Sequence, residues 1–107
     1  MLSISVNKTA LREIILNNKL YEIRLKRGIF KNIHIGQNIT LFNESIKTNK
    51  KIEDILEFCN LEDLFNSIDY RFCTPLLNTK IDAINHINKF YKSNLLEKYN
   101  VIAIKLS

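Results

Sequence analysis

At 107 residues, with 46% hydrophobic and 25% charged side chains, the chain is sized for one domain, residues 1–107, and is too short for two cores. The net charge of +5 is uneven: residues 8–51 carry ten Lys or Arg against three Glu (+7), and residues 52–107 carry six against eight acids (−2), which predicts one electropositive face suited to a polyanion. No apolar run reaches the roughly 18 residues of a membrane span and no signal-type apolar segment opens the chain, so a cytoplasmic protein without a membrane partner is expected.

Leu2, Ile4 and Val6 alternate with Ser3, Ser5 and Asn7, which predicts a short half-buried strand. Residues 8–17 follow as a helix with Leu11, Ile14 and Ile15 on one face, stopped by Asn17-Asn18. Residues 20–25 read as a second strand. There Glu22 and Arg24, two apart, share one side while Tyr21, Ile23 and Leu25 share the other. A basic loop with Gly28 spans residues 26–32, and residues 38–42 read as a third strand. Ile52, Ile55, Leu56 and Cys59 fall at i, i+3, i+4 and i+7, which predicts a helix beginning near Lys50. Only Ser45 to Thr48 would then be left for a further strand, and residues 38–42 would have an uncovered edge that a helix or a second copy of the chain could cover. The state is therefore expected to be monomer or homodimer. Leu61, Leu64, Phe65 and Ile68 predict the next helix, capped by Asn60. Pro75 lies in a loop, and Thr79 caps a last helix over residues 80–91 with Ile81, Ile84, Ile87 and Tyr91 inward. Residues 101–106 close the chain as a strand.

The segment from Lys19 through Glu22 and Arg24 to Ile33-His34-Ile35-Gly36-Gln37-Asn38-Ile39-Thr40-Leu41-Phe42 resembles the signature of the ASCH domain, a PUA-like family linked to RNA. In that signature a helix leads to Gly-Lys-Lys-Thr-x-Glu-x-Arg, a loop, and Ile-x-x-Gly-Asp-x-Ile-x-Phe. The family glycine and first lysine fall on Asn17 and Asn18, Lys19 keeps the second lysine, and Leu20 stands in place of the threonine. Glu22 and Arg24 hold their places, and Gly36-Gln37 replaces Gly-Asp. The C-terminal end also resembles the family, with Phe90-Tyr91-Lys92-Ser93 and then the family close of Tyr-Gly-Val-x-Ala-Ile, here Tyr99-Asn100-Val101-Ile102-Ala103-Ile104. Asparagine tolerates the left-handed conformation, so Asn17 and Asn100 are expected to keep the glycine turns.

The resemblance implies an α+β fold, a small PUA-like (ASCH) β-barrel of about five strands with three to four flanking helices. It implies an RNA- or nucleotide-binding role through a basic cleft on the N-terminal half, with Lys19, Glu22, Arg24, Lys26, Arg27 and Lys31 facing RNA or a nucleotide-like ligand. Phe30, between those charges, could stack on a base, although its neighbours Ile29 and Ile33 favour core packing. Some relatives are amidohydrolases acting on acetylcytidine with a lysine, a threonine and a distant glutamate. Lys19 matches that lysine, the threonine position falls on Glu22, and Glu53 or Glu57 could supply the glutamate. Lys19 and Glu22 are thus the catalytic pair if the chain is a hydrolase of a modified nucleoside or of RNA. A third reading is a protein-interaction module whose nucleic-acid cleft has decayed. Cys59, Cys73, His34 and His86 fit no zinc spacing, and Cys59 continues an apolar series, so core or incidental residues, no metal and no cofactor are expected.

Overall fold

Leu2, Ile4 and Val6 are all buried, and the first two stand on strand β1 (Leu2–Ser5) in the computed structural model, which describes residues 2–107 except the side chain of Ser93. Asn7 caps helix α1 (Lys8–Ile15), its Oδ1 accepting from the Ala10 N–H at 2.7 Å. Leu11 and Ile14 turn into the core, while Ile15, at the margin of the stripe, is exposed rather than buried. Asn17 takes φ 62° and turns the chain toward strand β2 (Tyr21–Leu25).

A 3-10 turn (Gly28–Lys31) leads to strand β3 (Asn38–Asn43). Gly36 precedes it at φ 91°, a backbone conformation that L side chains rarely adopt, and donates its N–H to the Ile52 carbonyl at 2.8 Å. Strand β4 (Ile46–Phe58) is followed by helix α2 (Leu61–Ser67), a 3-10 turn (Tyr70–Phe72), helix α3 (Lys80–Asn88), helix α4 (Ser93–Lys98) and strand β5 (Val101–Leu106). The strand order is β1-β3-β4-β5-β2, with β1 and β3 parallel and every other pair antiparallel. Among the described residues, five strands in one sheet with four α-helices make an α+β architecture with the strand and helix numbers that the resemblance implied.

The main correction falls on residues 46–58. They form one strand of 13 residues, not a four-residue strand and a helix, and β4 pairs with both β3 and β5. Its register shifts between Ile52 and Asp54, an irregularity of the kind a β-bulge makes. Because of that extra residue Ile52 and Ile55, three apart, pack in one cluster, while Leu56 and Phe58 pack in the other. The resulting spacing imitates a helix. β3 is therefore paired on both sides, and the uncovered-edge argument for a second copy loses its premise. Cys59, which the apolar series placed on the helix's inner stripe, is exposed just beyond the strand.

Three smaller expectations also change. Asn100 is not in the left-handed region; its Nδ2 instead donates to Glu57 Oε2 at 2.7 Å, and Glu44 in the β3–β4 turn takes φ 54°. Helix α3, capped by Thr79 as expected, ends at Asn88 rather than reaching Tyr91. Ile81 is exposed, and Ala83 and Ile87 make the buried face.

Strand β5 shows how the core divides. Ile102, Ile104 and Leu106 join Leu11, Ile14, Leu41 and Ile52 in one cluster with β1, β3 and α1. Val101 and Ala103, on the opposite face, join Leu25, Leu64, Phe65, Ala83 and Ile87 under the helices. Truncating a fully buried Leu41 or Ile52 to Ala should cost about 2–5 kcal/mol.

Candidate functional site

Both faces of β2 are used, and this sets the site. Ile23 pairs with Ala103 and Leu25 with Val101, so those side chains join the core under the helices. Glu22 pairs with Ile104 and Arg24 with Ile102, so the charged pair stands on the face shared with the first cluster. It does so at the open end of the sheet, because β1 and β2 are the two terminal strands in the order. A cleft of about 860 Å³ lies there. Its walls are the β1–α1 junction, β2, residues 73–77 and the end of α3 with the turn after it.

Lys19, Glu22 and Arg24 form a continuous chain of charge on the cleft wall. Lys19 Nζ lies 3.5 Å from Glu22 Oε1, and Arg24 Nη2 lies 3.3 Å from Glu22 Oε2. Side-chain exposures of 9%, 10% and 24% in that order take these groups well out of bulk water. Each has a second anchor. Lys19 Nζ donates to the Cys73 carbonyl at 2.7 Å, and Arg24 Nη2 donates to the Ser5 carbonyl at 2.8 Å. The Arg24 guanidinium also stands 5.5 Å from the centre of the Phe30 ring. An ammonium has three protons and a guanidinium five, so donors remain on both cations for a ligand.

Several lining residues lie outside the stretch that carries the charged motif. Glu13, buried on α1, accepts from Asn18 Nδ2 at 2.9 Å and adds a second carboxylate to the lining. Thr74 donates its hydroxyl to the Tyr70 carbonyl at 3.0 Å. His86, Phe90 and Tyr91 enter from α3 and the turn after it. Burial holds the Tyr91 hydroxyl above its ordinary pKa despite the nearby Arg24 charge. Burial likewise pushes the Cys73 thiol up to about 12. Helix spacing could have hinted at His86 and Phe90, which are four apart; nothing local to residues 73–77 points to a partner 54 positions earlier.

Lys26, Arg27 and Lys31 do not line the cleft. Lys26 Nζ pairs with Glu57 Oε1 at 2.6 Å, and the hydrogen bonds from Lys26 and Asn100 hold the Glu57 carboxyl below its ordinary range. Arg27 stands 5.8 Å from the Tyr99 ring centre, and Lys31 is exposed. Phe30 packs against the core, as its apolar neighbours suggested, and is not a free stacking surface. Glu53 lies 3.8 Å from Lys105, so neither distant glutamate reaches Lys19. The cleft also draws on residues 73–91, so it does not belong to the N-terminal half alone. Among the described residues no three His, Cys, Asp or Glu side chains gather as a metal site, and no helix is long and apolar enough to cross a membrane.

No protein-family model matches the sequence, and no curated protein matches it either. Three solved structures are similar. Hypothetical protein PH0355 superposes with a TM-score of 0.90 at 18% identity, over 99% of this chain and 96% of that one. Protein PF0455 from Pyrococcus furiosus gives 0.80 at 20% identity, over 99% and 94%. A ZmASCH mutant protein from Zymomonas mobilis gives 0.67 at 16% identity, over 97% of this chain and 66% of that one. At these identities the likeness is one of fold, and the fold is of the ASCH type.

Proposed function

We propose that this chain is a divergent member of the ASCH family and binds RNA or a nucleotide-like ligand in the cleft between α1, β2 and residues 73–77. The observation that carries the reading is the half-sequestered Lys19–Glu22–Arg24 chain, whose three members keep the positions of the family signature and line one cavity. Surface ion pairs are solvated and contribute little. This one is withdrawn from water, fixed by two backbone carbonyls, and left with spare donors facing a space large enough for a nucleotide. Phosphate or base carbonyl oxygens would satisfy those donors, and the Glu22 carboxylate can accept from a base amino group.

Calorimetric titration of nucleoside monophosphates and short single-stranded RNA into the protein tests the reading. Binding that falls at least tenfold in Glu22→Gln and in Arg24→Ala supports it. Equal affinity in the wild type and both variants excludes this cleft.

A second reading, a small hydrolase of a modified nucleoside or of RNA, rests on the 3.5 Å approach of Lys19 Nζ to Glu22 inside the same cleft. Incubation with acetylcytidine and with single-stranded RNA separates it from binding alone. Turnover lost in Lys19→Ala would establish it, and no turnover by the wild type would remove it.

A further inference from the structure

We infer that Phe90 is the platform on which the base of a cleft-bound ligand stacks, so that the ligand class is a planar heterocycle carrying phosphate. The inference rests on the ligand cleft proposed above and names what that cleft selects. Phe90 is 61% exposed although it is among the largest apolar side chains in the protein, and it lines the cleft rather than a remote surface. Leu76, 60% exposed, adds a second apolar side chain to the same lining.

The ring is held in place before any ligand arrives. The Phe90 N–H donates to the Ile87 carbonyl at 3.0 Å, closing the end of α3. The ring itself stands edge to face with His86, at 5.1 Å between centroids and 79° between planes. An aromatic fixed by a neighbour and left open to solvent loses little freedom when a second ring covers it. Tyr91, the next residue, is half-buried and packs against the core under the helices, so it supports the wall and leaves the stacking face to Phe90.

The chemistry of the cleft narrows the ligand. The Lys19 and Arg24 cations stand in the same cleft as the ring, a combination that suits phosphate at one end and a flat apolar face at the other. A sugar phosphate would leave the aromatic uncovered, and a neutral aromatic would leave unused the donors that Lys19 and Arg24 have beyond Glu22 and the two carbonyls. Base stacking tolerates all four bases, because each presents a π-face.

The chain contains no tryptophan, so Phe90→Trp places a single indole reporter at the cleft. The probes are AMP, CMP and ribose 5-phosphate. Saturable quenching of the indole by both nucleotides, without quenching by ribose 5-phosphate, is expected. Phe90→Ala should bind the nucleotides about 5- to 150-fold more weakly than wild type, the range measured for losing one stacked base. Phe90→Leu, which keeps apolar bulk without a π-face, should recover only part of that loss. Unchanged urea midpoints in the three variants check that folding is intact, as expected for an exposed side chain. If the wild type binds nucleotides and Phe90→Ala or Phe90→Leu binds equally well, stacking is overturned while the cleft stands. If the wild type binds neither nucleotide nor RNA, the cleft reading falls and takes the inference with it.

Discussion

Arg24 donates to the Ser5 carbonyl at 2.8 Å and so ties together the two strands at opposite ends of the sheet order. β1 and β2 share no ladder, and the opening between them is where the cleft lies. One guanidinium therefore closes the seam, holds Glu22, and keeps donors for a ligand. Under the proposed function, binding and architecture are coupled at this residue.

Arg24→Ala should lower stability by about 1–3 kcal/mol, the range for a hydrogen bond from a charged group together with the polar partners it leaves behind. Arg24→Lys should restore less than half, because both bonds leave one nitrogen, Nη2, of a planar group that also lies over the Phe30 ring, and an ammonium reproduces neither that position nor that plane. Urea unfolding midpoints measure both. Identical midpoints for all three proteins would mean that the seam needs no tie.

Glu22 stands between two cations, so its removal strands the Lys19 ammonium beside a single carbonyl. Glu22→Leu should cost about 3–5 kcal/mol, as breaking a buried pair from one side does. Lys19→Met combined with Glu22→Leu should be more stable than Glu22→Leu alone, since exchanging the whole pair for apolar groups removes the unpaired charge. A double variant no more stable than the single one would show that the pair is solvated through the cleft.

The two cysteines should report their surroundings. Cys59 is exposed and Cys73 buried, so a thiol reagent should titrate one group rapidly in the folded protein and two after unfolding. The Cys73 thiol is raised from 9.0 to about 12 in the folded state, chiefly by burial. Its contribution to stability is therefore complete below pH 9 and is lost as pH rises from 9 toward 12, because only the unfolded thiol ionises over that span. Urea midpoints should fall across that interval more steeply in wild type than in Cys73→Ala; parallel slopes would contradict this.

Lys26, Arg27 and Lys31 lie outside the cleft and should act on long ligands only. Replacing all three with Ala should reduce the salt dependence of single-stranded RNA binding by about 2 in the log–log slope, from roughly 0.7 per phosphate contact. Mononucleotide affinity should not change. A triple variant with the wild-type RNA slope would exclude this loop from the RNA footprint.

Much of the fold could be read from local pattern. The alternation of Leu2, Ile4 and Val6, the Asn60 and Thr79 caps, and the turn at Gly36 each follow from a few adjacent residues. β4 was illegible because the irregularity near Ile52 sets Ile55 three residues on, and because residues on both faces of the strand are apolar, which gives helical spacing. In the cleft, Lys19, Glu22 and Arg24 were legible because one short stretch of chain carries them. Glu13, residues 73–77 and Phe90 were not, since only tertiary folding brings them to β2. Phe90 rather than Phe30 brings an exposed aromatic to the cleft, because Phe30 packs against the core as its apolar neighbours suggested.

The most direct measurement is an amide chemical-shift titration of the isotope-labelled protein with a nucleoside monophosphate. Saturable shifts should concentrate at residues lining the cleft, among them Glu22, Ile23, Arg24, Thr74, Leu76, Leu77 and Phe90. Lys31 and Lys47, which are exposed and outside it, should stay still. Shifts centred instead on Asn49, Lys50 and Lys51, which line a smaller recess beside β3, with the cleft amides unmoved, would contradict the assignment of ligand binding to the Lys19–Glu22–Arg24 cleft.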